Sequence, residues 1–345
     1  MKRSLEIDGM RTFLNTLIVL NHAGFPWMPI APGLIEQFFA HFIHRSAYTL
    51  PALFCLSGYL MLTGYSVETI KHKYWSRCKR LLAPRLVVNW GVVLLVGSGM
   101  VLGLVHNPKY DMEWAVRSIL GIKAGATLST FWYIRTLLIF TICSPILYFI
   151  LRRTIGQIVL LVLSVGWCVL SLVLGIDEPL AKIIPSFSIL SFLIGSVFAI
   201  RKINILEFSY RNRLPIALVY FLSVFFWCLT ASPFCHNGFV QAVQCLFWFS
   251  MAKWFGNFMR NRCYMYLCES AFFVFAFHAE INSLVTGRLL HGVYDMIPRT
   301  WLMWPGELLC ITFLSFTVNL ILTLLLYAIG KKLCPFMTRI MNGRL

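Results

Sequence analysis

Ten stretches of this chain are apolar over lengths that suit a bilayer crossing: 12 to 30, 47 to 66, 82 to 105, 129 to 151, 155 to 175, 183 to 200, 214 to 231, 237 to 256, 265 to 287 and 304 to 330. A helix rises about 1.5 Å per residue, so about 20 apolar residues cross a hydrocarbon core of about 30 Å. Within that core the backbone must satisfy its own hydrogen bonds, which leaves helices as the spanning elements for segments of this length. The expected fold is therefore all-α, a polytopic integral membrane protein with about ten transmembrane helices. Composition agrees, since 59% of the 345 residues are hydrophobic and 12% are charged. No soluble domain, repeat or low-complexity tract interrupts the runs, and residues 1–345 read as one membrane domain. The first run is polar late in its length and poor in small-residue cleavage signals, so it is expected to stay as an uncut start-transfer helix.

Thirty Lys and Arg against 13 Asp and Glu raise the question of nucleic acid. Their placement answers it. With the N-terminus cytoplasmic, about three-quarters of the cations fall on inner segments, including Lys71 to Arg85, Arg152, Arg153, Arg201, Lys202, Lys331 and Lys332. That bias is the positive-inside pattern of ten spans with both termini in the cytoplasm, and no nucleic-acid partner is expected. Histidines show the reverse asymmetry: all but His72 fall at mid-membrane or on the outer side, where interfacial packing accounts for His41, His44, His106, His236 and His291. The eleven cysteines are odd in number and contain no C-x-x-C pair, so they read as small buried residues without a disulfide framework or metal cluster. The stretch Lys71 to Leu82 suits a helix lying in the inner interface, and Asp111 to Leu120 suits a short amphipathic helix on the outer surface.

Against this apolar background a few polar residues stand out. Arg11 and His22 lie eleven residues apart on the first segment. At about 100° per residue that is three turns plus about 20°, so both share one face, roughly 16 Å apart along the axis. Asp8, Asn15 and Ile18 fall on the same stripe, which must face protein or water rather than lipid. Alone, Arg11 reads as a snorkelling anchor. His22, three turns deeper, is costly to insert unpaired and can exchange a proton near neutral pH. Lys73, Arg77 and Arg80 recur at i, i+4 and i+7, a cationic row that solvated positive-inside charge explains and that equally suits bidentate phosphate binding. In FCLSGYL, Ser57 and Gly58 fit small-residue helix packing. Trp132 and Tyr133 fit an outer aromatic belt and also fit sugar stacking; position does not choose between the two. His278, as deep in the ninth run as His22 is in the first, reads as a buried, satisfied histidine.

Taken in order, these motifs resemble the membrane-bound acyltransferase 3 family, which includes surface-glycan O-acetyltransferases. Ile7 to Ala23 resembles its LDGLRG...H opening, Leu50 to Met61 its FFxLSG segment, and Arg77 to Leu86 its R-x-x-R and RLxP element. Ser129 to Leu147 resembles its W-[FY]-L...P helix, and Ser270 to Ile281 its late S...Y..H segment. Thr12, Asn21 and Phe275 depart from the usual residues without removing a proposed catalytic group. The extracellular hydrolase-like domain of some members is not represented, which implies that acyl transfer is completed by the membrane domain or a separate partner.

The resemblance implies an O-acyltransferase of a bacterial cytoplasmic membrane, with acetyl-CoA or another acyl-CoA as donor and no metal. It implies His22, Arg11 and Asp8 as the catalytic set, and Arg77, Arg80 and Lys73 as the donor site. Ser57, Trp132, Tyr133 and His278 are the substrate-side candidates. His22 would serve as base or as transient acyl carrier. Expected partners are the acyl-CoA, a cell-surface or lipid-linked glycan and membrane lipids, with assembly into a homo-oligomer left open. The alternative from another class is a transporter or flippase that uses the polar stripe as a path.

Overall fold

The computed structural model describes residues 4–24, 42, 46–102, 113–116, 130–173, 184–230, 238–286 and 305–341, and these are helical with no strand among them. In chain order the helices are α1 (Leu5–Gly24), α2 (Leu50–Leu62), α3 (Ile70–Val101), α4 (Phe131–Leu151), α5 (Thr154–Val173), α6 (Ser186–Ile200), α7 (Ile205–Arg211) and α8 (Arg213–Thr230). They continue with α9 (Gly238–Ser250), α10 (Ala252–Phe258), α11 (Arg262–Ile281), a π-helical turn (Asn282–Thr286), α12 (Pro305–Leu333) and α13 (Pro335–Met341).

Among the described residues, three helices are long and apolar enough to cross a membrane: α4, α5 over Thr154–Ser171 and α12 over Cys310–Leu333. The pair α6 and α7, bent by 100°, makes a fourth if it is one broken span. The count of ten and the inward termini rest on the hydropathy and charge patterns alone. Three boundaries differ from expectation. Residues 71–82 do not form a separate interfacial helix but open α3, which runs without a break through Pro84. The sequence offers no stop signal between the cationic turns and the apolar ones, and a proline inside a helix removes one backbone bond without necessarily ending it. The run 237 to 256 is two helices, broken at Met251. On the outer stretch 111–120, residues 113–116 are helical and the remainder lies outside the described residues. His41, His44, His106, His236 and His291 lie outside them as well.

Local chemistry starts several of these helices. Asn204 caps α7 by accepting from the Leu206 and Glu207 amides, and Asn261 caps α11 by accepting from Cys263 and Tyr264. Glu6 and Asp8 sit in the first turn of α1, where the helix dipole favours negative charge.

Helix α1 is central, packed against α2, α10, α11 and α12. Glycines permit two of the close approaches. A Cβ on Gly58 would collide with the Phe192 carbonyl and one on Gly195 with the Cys55 carbonyl, so α2 and α6 meet backbone to backbone. A Cβ on Gly9 would lie 2.5 Å from the Phe255 carbonyl oxygen, which draws α10 against α1. One apolar cluster gathers Met10, Leu14, Leu53, Phe249, Phe255 and Ala276 around α1; a second gathers Phe54, Phe140, Phe192 and Leu193 between α2, α4 and α6. By contrast α5 and α8 present Ile155, Val162, Leu163, Leu214, Leu218 and Leu222 outward. An apolar face of that kind is stable in lipid.

Candidate active site

The polar stripe of α1 faces protein, as its cost in lipid requires. Near its N-terminal end Arg11 pairs with Asp8 at 3.6 Å, one turn apart, with the Arg11 side chain 47% exposed and Asp8 14% exposed. Asn15 and Ile18 are buried below it. The backbone around this pair is held from α11, since the Tyr264 hydroxyl donates to the Gly9 carbonyl at 2.6 Å.

The structure brings the cations of α3 to the same end. Arg77 lies close enough to Arg11 and Arg80 for their charges to act on it; burial first, then Arg80 and Arg11, push its guanidinium below the ordinary value. Arg77 Nη2 donates to the Leu60 carbonyl at 3.3 Å, and Lys73 Nζ donates to the Thr63 carbonyl while lying 5.9 Å from the Tyr65 ring centre. Both carbonyls end α2, where the helix dipole leaves partial negative charge. Lys73 is thus tied into the turn between α2 and α3; burial, then Arg77, lower its ammonium pKa. Arg80 is exposed.

Between the two ends of the stripe stand Ser57 and Tyr133. The Ser57 hydroxyl donates to the Leu53 carbonyl at 2.7 Å and lies 3.4 Å from the Tyr133 hydroxyl. Tyr133 also packs on Phe54 and Phe275 at 4.6 and 5.2 Å between ring centres, within electrostatic reach of Arg11. A place in the protein interior, rather than in an interfacial belt, follows from those neighbours. The dipeptide Ser57-Gly58 divides its work, with Ser57 facing Tyr133 while Gly58 admits α6.

At the far end His22 borders a cavity of about 290 Å³ together with Ile18, Asn21, Ala47, Tyr48, Thr49, Leu50 and Trp132. Trp132 and Tyr133 therefore point to different places, one at the His22 cavity and one beside Ser57. His278 is fully buried, and its ring meets that of His22 with centres 4.9 Å apart at 65°. Two residues 256 positions apart in the chain thus share one site. Four polar side chains brace the surrounding backbone: Asn282 donates to the His22 carbonyl and Asn319 to the His278 carbonyl, both at 2.9 Å. Thr49 donates to Leu14 at 2.8 Å, and Thr130 to Ala276 at 2.9 Å. Such bonds between apolar helices fix their relative depth. These four residues were missed in the sequence, although each is a hydrogen-bonding side chain set in or beside an apolar run, and Asn319 is the one amide side chain on α12. The unusual residues of the opening segment are accommodated: Thr12 donates back to the Asp8 carbonyl at 2.8 Å, and Asn21 joins the cavity wall.

The site thus joins an ion-paired arginine and a cavity-bordering histidine of α1 to a cationic row of α3 at the arginine's end. A family model described as an acyltransferase domain matches residues 4–324, nearly the whole chain. The chain belongs to the acyltransferase 3 family. All ten residues singled out above fall inside the matched range. No curated relative and no solved structure matches the chain. As a member of this family, it is a membrane acyltransferase.

Proposed function

We infer that this acyltransferase moves an acetyl group from cytoplasmic acetyl-CoA to a hydroxyl of a cell-envelope glycan or lipid-linked sugar. Its place would be the cytoplasmic membrane of a bacterium, with ten spans and both termini inside. The observation that carries this reading is the arrangement along α1, with guanidiniums gathered at one end and His22 beside a cavity at the other. Arg77, crowded by Arg11 and Arg80, gains from any anion that enters among them. Acyl-CoA is anionic at its nucleotide end, and its extended arm suits the roughly 16 Å between Arg11 and His22.

In this reading Arg77, Arg80 and Arg11 hold the phosphates, Asp8 orients Arg11, and Lys73 stiffens the turn that carries the arginines. Ser57 and Tyr133 line the way to His22. His22 takes the proton of the attacking glycan hydroxyl, or carries the acyl group briefly itself. Trp132, at the cavity, offers a ring for the acceptor sugar. The test is transfer of radiolabelled acetyl from acetyl-CoA to membrane glycan, with succinyl-CoA as the competing donor and calorimetric CoA binding to the purified protein. Donor-dependent labelling is expected; a protein that binds no CoA and labels no glycan would return the transporter reading to the front.

A further inference from the structure

The contact between His22 and His278 carries more than the sequence suggested for either. His278 Nδ1 lies 2.9 Å from the Phe275 carbonyl and 3.1 Å from the Val274 carbonyl of its own helix. Two carbonyl oxygens at that range require an N–H, so in the neutral ring Nε2 carries the lone pair. That Nε2 is buried and finds no hydrogen-bond partner among the described residues. An orphaned buried acceptor costs about 1–3 kcal/mol, and the neighbour with a ring N–H to give is His22. With ring centres 4.9 Å apart at 65°, a small rotation of the His22 imidazole would close an N–H···N bond of about 2.9 Å to that nitrogen. Both backbones are pinned, by Asn282 on His22 and by Asn319 on His278, so the pair is held from α1, α11, α12 and the π turn. His278 itself does not border the cavity that His22 borders.

We propose that His278 is a positioning residue: its Nε2 accepts the ring N–H of His22, which fixes the His22 tautomer and turns the other His22 nitrogen, unprotonated, toward the cavity. This replaces the substrate contact suggested for His278 by its motif, and it rests on the reading of His22 as the group that performs acyl transfer. When His22 takes a proton, the imidazolium keeps its first N–H on His278 and holds the new proton on the cavity side. No proton passes to His278, whose own N–H is committed to the backbone.

The test has an arm that needs no activity. Solid-state NMR of ¹⁵N-histidine protein in its membrane, assigned by difference against His22→Ala, is expected to show one His22 tautomer and a ¹⁵N–¹⁵N coupling across the bond between the two rings. Absence of that coupling in the wild type overturns the proposal, whether or not the variants insert. Kinetically, His278→Phe keeps the ring but removes the acceptor, and should lower kcat at least ~10-fold with both KM values within about two-fold. His278→Gln, which retains an acceptor oxygen, should recover most of that loss. A loss confined to acceptor KM would make His278 a substrate contact and sink the proposal. A wild type with the coupling but without acyl transfer would instead defeat the proposed function and leave the positioning role standing.

Discussion

At the Arg11 end of α1 the cations are part-exposed and crowd one another, with one carboxylate, Asp8, in contact at 3.6 Å. At the His22 end the polar groups are enclosed, and the carbonyls of His22 and His278 are held by asparagines from elsewhere in the chain. The first region is suited to recognising charge, because repulsion among Arg11, Arg77 and Arg80 falls when an anion arrives. The second is suited to acting by position, because the backbone beneath each ring is held by a side chain from outside its own helix. Damage should accordingly appear as lost affinity at one end and lost turnover at the other.

The largest effect is expected at the enclosed end. His22→Ala should lower acetyl transfer on the order of 10²–10⁴-fold, the range of a lost general base, with insertion unchanged and donor KM little altered. Full activity in a folded His22→Ala protein would break the comparison. At the cationic end, Arg77→Ala/Arg80→Ala should raise donor KM about 10- to 100-fold, as charge-assisted hydrogen bonds of about 1.5–3 kcal/mol imply, while kcat stays within a few-fold. Steady-state kinetics with acetyl-CoA varied at saturating acceptor would show it, and an unchanged KM would leave these arginines as topology markers.

Smaller effects sharpen the contrast between bonded and open polar groups. Thr49→Val removes the bond to the Leu14 carbonyl and should cost about 0.6 kcal/mol of stability, read from unfolding in detergent. Smallest of all is Glu207→Gln, in the first turn of the short helix α7. Hydrogen bonds from Arg211 and then Lys253 hold the Glu207 carboxyl below its ordinary value of 4.5. Its pKa is lowered on folding, so its contribution is present above 4.5 and is lost as pH falls through the folded value. A slight drop in Tm at pH 7 that fades only once pH falls below 4.5 is expected, and a drop that persists in acid would assign the effect to packing instead.

Much of the candidate site was legible as departures from an apolar background. A charged or imidazole side chain within a hydrophobic run is costly, so Arg11, His22 and His278 stood out one by one. Tyr133 was less legible, because an aromatic near a run's end looks the same whether it lies in a belt or packs on Phe54, Phe275 and Ser57. The cationic row of α3 was visible, but its partial use as a cap on the end of α2 was not, since that depends on where Leu60 and Thr63 come to rest. The interfacial helix expected at 71–82 failed for a local reason: continuous helix across Pro84 leaves no signature that separates it from two helices meeting at a proline.

The sequence by itself determined the helical, membrane-embedded class, the family, and the sharing of one face of α1 by Asp8, Arg11 and His22, because hydrophobic run length and the 3.6-residue period are properties of a segment alone. Only the tertiary structure decided that His278 meets His22, that Arg77 comes within electrostatic reach of Arg11 and that Gly58 serves α6 while Ser57 serves Tyr133. Those contacts depend on how helices far apart in the chain approach and rotate against one another. That approach is set by backbone contact at Gly9, Gly58 and Gly195 and by the Thr and Asn braces, which act between segments and leave no periodic trace within any one of them.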